Sequence, residues 1–246
     1  MTPLRARLEE YSSRIAPGIG WRPLYITTLA TLLMVVYHHQ GSTQHAPRAF
    51  IEASQAFFGV EAELLHRHLW SHLCAVVMLL LIPLGVLWWG EGWTPRDLGL
   101  GIRGAHKELL AVVGLWLFML PFVAYFSTTS SFQAMYPRVP EAATDVQVYL
   151  LHEGLYLVKW IAWEFFFRGF LLFGLGRDFL GRATLVSTIP FTLMHFGKPE
   201  PEVLGAVVAG LVLCHLSLRS KSVWPGVLLH WMVASSMDFF ASDWWR

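Results

Sequence analysis

The sequence predicts an all-α fold, a polytopic transmembrane helix bundle of about seven spans with an N-terminal interfacial helix, and three observations carry that prediction. Hydrophobic residues make up 55% of the 246 and charged residues only 14%, against roughly 45–50% and about 25% in soluble domains. Apolar stretches recur along the whole chain, several near the ~20 residues that cross a ~30 Å hydrocarbon core. Tryptophans gather at their ends, at Trp21, Trp88, Trp89, Trp93, Trp244 and Trp245, as the aromatic belts of a bilayer interface do.

The elements follow in order. Residues 1–22 read as a cytoplasmic amphipathic arm, with Leu4, Leu8, Tyr11 and Ile15 at helical spacing and arginines between them. Residues 23–246 read as a single integral membrane domain with spans at 23–37, 69–89, 109–126, 148–174, 183–196, 203–218 and 223–240. The first span is expected to be retained rather than cleaved as a signal, because VVYHHQGSTQHA offers no small-residue cleavage site. Lys and Arg are more abundant in the N-terminal arm and every second connection than in the others, which sets the N-terminus in the cytoplasm and the C-terminus outside.

The lipid bilayer is thus the first partner. A net charge of +1 gives no basis for a nucleic-acid partner. Cys74 and Cys214 fall inside apolar runs, where a thiol acts as a small hydrophobe, so no disulfide framework is expected. Gly205, Gly210 and Gly226 are expected to let helices approach closely.

Ionisable groups inside a span are costly and point to function. Residues 148–174 carry Glu153, Lys159, Glu164 and Arg168. At about 100° per residue, Glu153, Glu164 and Arg168 lie within about 60° of one another, as one polar stripe, while Lys159 points about 140° away from Glu164. Glu164 and Arg168 are spaced to neutralise each other at i, i+4. His195 ends the fifth span and His230 lies midway along the seventh. At about 1.5 Å per residue, Glu164, His195 and His230 fall at comparable depths of about 15, 18 and 12 Å, so three helices can bring a carboxylate and two imidazoles together to activate a water and stabilise an oxyanion. Of the other histidines, His38, His39, His45, His66, His68 and His72 are read as solvated or interfacial although His68 and His72 have metal-ligand spacing, His152 as structural, and His215 as able to line a cavity.

The ordered set WEFFFRG, then Phe191 and His195 in FTLMHFGKP, then His230 in LLHWMV resembles the CPBP family of membrane-embedded CAAX prenyl proteases and Abi-type bacteriocin-processing and self-immunity proteins. That family has Glu-Glu-x-x-x-Arg, Phe-x-x-x-His and His-x-x-x-Asn/Asp motifs on separate helices, and the resemblance covers about residues 109–240. It implies an intramembrane endopeptidase, expected in the bacterial inner (plasma) membrane, that acts on a membrane-associated protein or peptide: a prenylated C-terminus, a peptide precursor or a C-terminal sorting signal. By the same resemblance Glu164 is the general base, His195 shares the water, His230 stabilises the oxyanion, and Arg168 keeps Glu164 ionised and oriented.

Metal-dependent and metal-free versions of the chemistry are both implied. Glu164, His195 and His230 would be the ligands of zinc or another divalent metal in the former, as three protein ligands and an open position require. Two positions depart from the pattern: Trp163 replaces the first glutamate and Ala234 replaces the last Asn/Asp. Glu153 and Asp238 are the candidates to supply the missing polar support, with Phe191 beside His195. A catalytically silent binding or immunity protein and a small transporter remain the alternative readings.

Overall fold

Helix boundaries fall largely where the sequence places glycine, proline or a capping side chain. The structure, a computed structural model, describes residues 3–15 and 18–242, and the expectations for Trp244 and Trp245 and for the side chains of Leu4 and Ile15 lie outside what it describes. After α1 (Pro3–Ile15), α2 (Trp21–Gln40) ends where the Gly41 N–H bonds the Tyr37 carbonyl. Pro47 precedes α3 (Arg48–Phe58), which Gly59 closes in the left-handed conformation as C-terminal glycines do. The long α4 (Glu63–Glu91) includes a π-helical stretch, Val76–Leu81, and α5 spans Ala105–Phe126.

Asp145 then starts α6: its Oδ1 accepts from the backbone N–H groups of Gln147 at 2.8 Å and Val148 at 3.1 Å, satisfying two donors left free in a first turn. The α-helix Val146–Glu164 continues as a π-helix, Phe165–Phe173, and as Gly174–Phe179. Then come α7 (Ala183–Leu193), α8 (Glu200–Ser220) behind Pro199, and α9 (Trp224–Ala241), with Pro225 in its first turn. Among the described residues there is no strand.

Each of the seven expected spans coincides with one of the helices α2 and α4 to α9. Three helices, Glu63–Glu91, Ala105–Phe126 and Glu200–Ser220, are long and apolar enough to cross a membrane among the described residues. They carry exposed apolar side chains outside the cavity, Val77, Leu110 and Leu204, as lipid-facing surfaces do. The amphipathic α3 was not among the expected elements, because its eleven residues are too few to register as a span.

The core gathers around the Phe-rich π-helical segment, where Phe165, Phe166, Phe167 and Phe170 are fully buried. Against α6 pack α4, α7 and α9, and α9 also lies along α5. Two backbone approaches tighten this assembly. At Gly104, φ is +95° and an added Cβ would meet the Ser220 carbonyl oxygen at 2.6 Å; at Gly210, one would meet Thr188 Cγ2 on α7 at 2.6 Å.

Gly210→Ala is therefore expected to cost about 1–3 kcal/mol, the range for overpacking a well-filled interior. Gly205→Ala should be neutral, because nothing lies within 4 Å of a Cβ there. Denaturant unfolding in detergent compares the two. Gly226 does have close neighbours, with Glu164 Oε2 at 3.0 Å, so two of the three glycines expected at close contacts are there, whereas Gly205 faces open space.

Candidate active site

Glu164 sits at the last α-helical position of α6 and Arg168 one turn on, inside the π-helical segment; π-helical turns are frequent at functional sites. Both are 0% exposed. Arg168 Nη1 lies 3.3 Å from Glu164 Oε1 and 3.2 Å from Oε2, Nη2 donates to the Gly210 carbonyl at 3.4 Å, and the guanidinium lies 4.2 Å from the Phe191 ring centroid. A charge placed this deep needs a partner with matching hydrogen bonds, and here each supplies the other.

Packing of α9 on α6 brings His230 Nδ1 to 2.6 Å from Glu164 Oε1. The imidazole also stacks on Trp160, ring centroids 3.7 Å apart and planes inclined at 29°. His195 lies in the turn just after α7, where its Nδ1 donates to the Phe191 carbonyl at 2.8 Å. The His195 and His230 rings are 6.2 Å apart and nearly parallel, at 15°. With Nδ1 committed in both, Nε2 is the nitrogen each histidine has free for chemistry.

Both histidines line a cavity of about 620 Å³ with mostly apolar walls, including Phe122, Val123, Leu229 and Val233; that volume falls in the range of small-molecule and peptide clefts. Glu164 and Arg168 do not line it. His230, which does line it, connects Glu164 to the cavity wall through the 2.6 Å contact of its Nδ1 with Glu164 Oε1. Trp163, at the position of the missing glutamate, presents a buried indole, its ring 6.3 Å from His195, and Ala234 lines the cavity one turn beyond His230.

Other expectations separate in space. Glu153 does not join Glu164 and Arg168: eleven residues advance about 16 Å along a helix, and its carboxylate accepts from the Ser235 hydroxyl instead. Asp238 does not partner His230; its Oδ1 accepts from the Arg138 backbone N–H at 2.6 Å. His66, His68 and His72 are buried rather than solvated or interfacial, because α4 turns His68 and His72 onto His152 of α6. His38, His39 and His45 are exposed. Lys159, expected to point away from the polar stripe, does reach the cavity, lying 5.2 to 5.5 Å from the rings of Tyr156, Trp160 and Trp163. His215 is exposed beside a shallow second pocket shared with Arg219 and Gly114.

Sequence spacing did not reveal a polar group in the cavity lining, Tyr136, Lys198 and Glu202. Lys198 Nζ donates to the Tyr136 hydroxyl at 2.6 Å, Tyr136 donates to Glu202 at 2.9 Å, and Lys198 is 3.4 Å from Glu202. Burial, and next the nearby Arg138 charge, push the Lys198 ammonium down to about 8. The sequence signal was there in GKPEPE, a lysine four residues before a glutamate. Tyr136, some sixty residues away, could not be placed from it.

In the metal set that the resemblance implies, Glu164, His195 and His230, both histidines keep Nε2 free, with Nδ1 held by the Phe191 carbonyl and by Glu164, while both Glu164 oxygens already face Arg168 Nη1. Among the described residues, the group whose donors lie within 4.8 Å of one another is instead His152, Glu153 and Asp238.

The fold and this site define an all-helical integral membrane protein with a histidine pair facing an apolar cavity and backed by a buried glutamate–arginine pair. Residues 147–236 match the family model described as Type II CAAX prenyl endopeptidase Rce1-like, consistent with the CPBP family and spanning the three motif segments of α6, α7 and α9. No curated protein and no solved structure matches the chain.

Proposed function

We propose that the protein is an intramembrane endopeptidase that hydrolyses a peptide bond near a membrane-associated end of a protein or peptide, with prenylated C-termini, peptide precursors and C-terminal sorting signals as the substrate classes. The observation that carries this reading is the pair of nearly parallel histidines at one cavity wall, one of them bonded to the Glu164–Arg168 pair. His195 Nε2 takes a proton from water as its oxygen attacks the scissile carbonyl. His230, positioned by the Glu164 carboxylate, in its protonated form donates from Nε2 to the developing oxyanion in a water-poor site where such a bond is strongest. Glu164 thus acts through His230 as a positioning residue, as the carboxylate of a catalytic triad acts through its imidazole. His195 returns its proton to the leaving amine.

Residues 23–246 are read as one membrane domain with seven spans, cytoplasmic N-terminus and external C-terminus, in a bacterial inner membrane. The apolar walls suit lipidated or hydrophobic side chains. Arg138, Lys159 and Lys198 at the cavity suit a peptide carboxylate, with Glu202 and Tyr136 holding Lys198. A second reading, a silent binding or immunity protein, is favoured by the apolar Trp163 and Ala234.

The test is cleavage of peptides with free and amidated C-termini by the protein in vesicles. The free-carboxylate peptides are expected to be cleaved, with KM rising as pH passes about 8 and Lys198 loses its charge, and the amides to show no such rise. No cleavage of any membrane-associated peptide, with the protein folded, would favour the silent reading.

A further inference from the structure

About 16 Å along α6 from Glu164, toward the opposite end from Arg168, a second buried polar cluster plays no part in this chemistry. His152, Glu153 and Asp238 offer one donor atom each within 4.8 Å of one another, and all three residues are buried, at 0%, 6% and 0% exposure. Each carboxylate has one oxygen committed to the protein: Asp238 Oδ1 accepts from the Arg138 N–H and Glu153 Oε2 from the Ser235 hydroxyl. The remaining oxygens, Asp238 Oδ2 and Glu153 Oε1, and both ring nitrogens of His152 are buried without a hydrogen-bond partner. His152 Nε2 and Asp238 Oδ2 are 3.4 Å apart but not aligned to bond.

This is how metal ligands are commonly held. An outer hydrogen bond fixes each carboxylate while its other oxygen stays free for the ion, and buried polar atoms left unsatisfied in a native interior call for such an explanation. The charge balance agrees. The two carboxyl groups bring negative charge into the cluster, which a divalent cation offsets, and the nearby Arg138 guanidinium donates to Met135 Sδ at 2.9 Å rather than to either free oxygen. One nitrogen and two oxygens suit zinc and neighbouring first-row ions. Outside this group of three, His72, whose two ring nitrogens are also buried and unpartnered, lies 6.5 Å from His152, ring centre to ring centre.

We infer that His152, Glu153 and Asp238 form a divalent-metal site of the zinc class that clamps α6 to α9, separate from the cavity histidines. Because α6 carries Glu164 and α9 carries His230, the ion fixes the register of the two helices that build the candidate active site. The competing explanation of the same geometry is a proton shared between two carboxyl groups.

The test uses the untagged full-length protein in detergent, stripped with chelator, reloaded with Zn²⁺ and dialysed. Metal content is measured by elemental analysis, and thermal unfolding with and without Zn²⁺. About one ion per chain is expected in wild type and in His195→Ala, with Zn²⁺ raising the melting temperature of both. Asp238→Asn keeps the acceptor for the Arg138 N–H, and with Glu153→Gln it is expected to fold, to retain almost no metal and to show no Zn²⁺-dependent rise. Should either variant fold poorly, the other and the wild-type Zn²⁺ response decide. No ion in wild type would overturn the site in favour of a shared proton. Loss of the ion in His195→Ala with retention in Asp238→Asn would move it to the cavity.

Discussion

His195→Ala is expected to lower the rate of peptide cleavage by about 10²–10⁴-fold, the range for removing a positioned acid–base group, while leaving the protein folded. The side chain sits in a turn at the cavity wall, and its one protein hydrogen bond goes to the Phe191 carbonyl, so little of the bundle depends on it. His230→Ala should cost activity on the same scale. The double variant should lose little more than either single one, because residues acting as a unit are not additive. Rates in reconstituted vesicles, with circular dichroism to verify folding, measure all three.

The largest effect on stability is expected at Arg168. Arg168→Met leaves the fully buried Glu164 carboxylate with His230 alone, and removing one partner of a buried pair typically costs about 3–5 kcal/mol. Arg168→Lys should recover only part of this, since one ammonium nitrogen cannot occupy both places that Nη1 facing Glu164 and Nη2 donating to the Gly210 carbonyl fill. Glu164→Gln with Arg168→Met removes both charges and should regain much of the lost stability without regaining activity. Denaturant unfolding read beside cleavage separates the two consequences.

How much of this was legible in the sequence follows from what each signal encodes. Helical periodicity and hydropathy locate helices well, and all seven expected spans coincide with helices. The pairing of Glu164 with Arg168 is local, one turn of helix, and was readable for that reason. That His195 and His230 share a cavity followed from motif order and depth. The angular stripe joining Glu153 to Glu164 was misleading, because angle ignores the rise along the axis, and their different neighbours on α9 place them in separate clusters. The burial of His68 and His72, the approach of Lys198 to Tyr136 and the contact of Glu164 with His230 depend on contacts across dozens of residues, which no local spacing carries.

The most direct test of the central claim is cleavage of a membrane-associated peptide in H₂¹⁸O by wild type, His195→Ala and His230→Ala at matched folded concentrations, with products read by mass spectrometry. Hydrolysis at the cavity histidines predicts ¹⁸O in the new C-terminal carboxylate from wild type and almost no product from either variant. Equal product from all three proteins would contradict it.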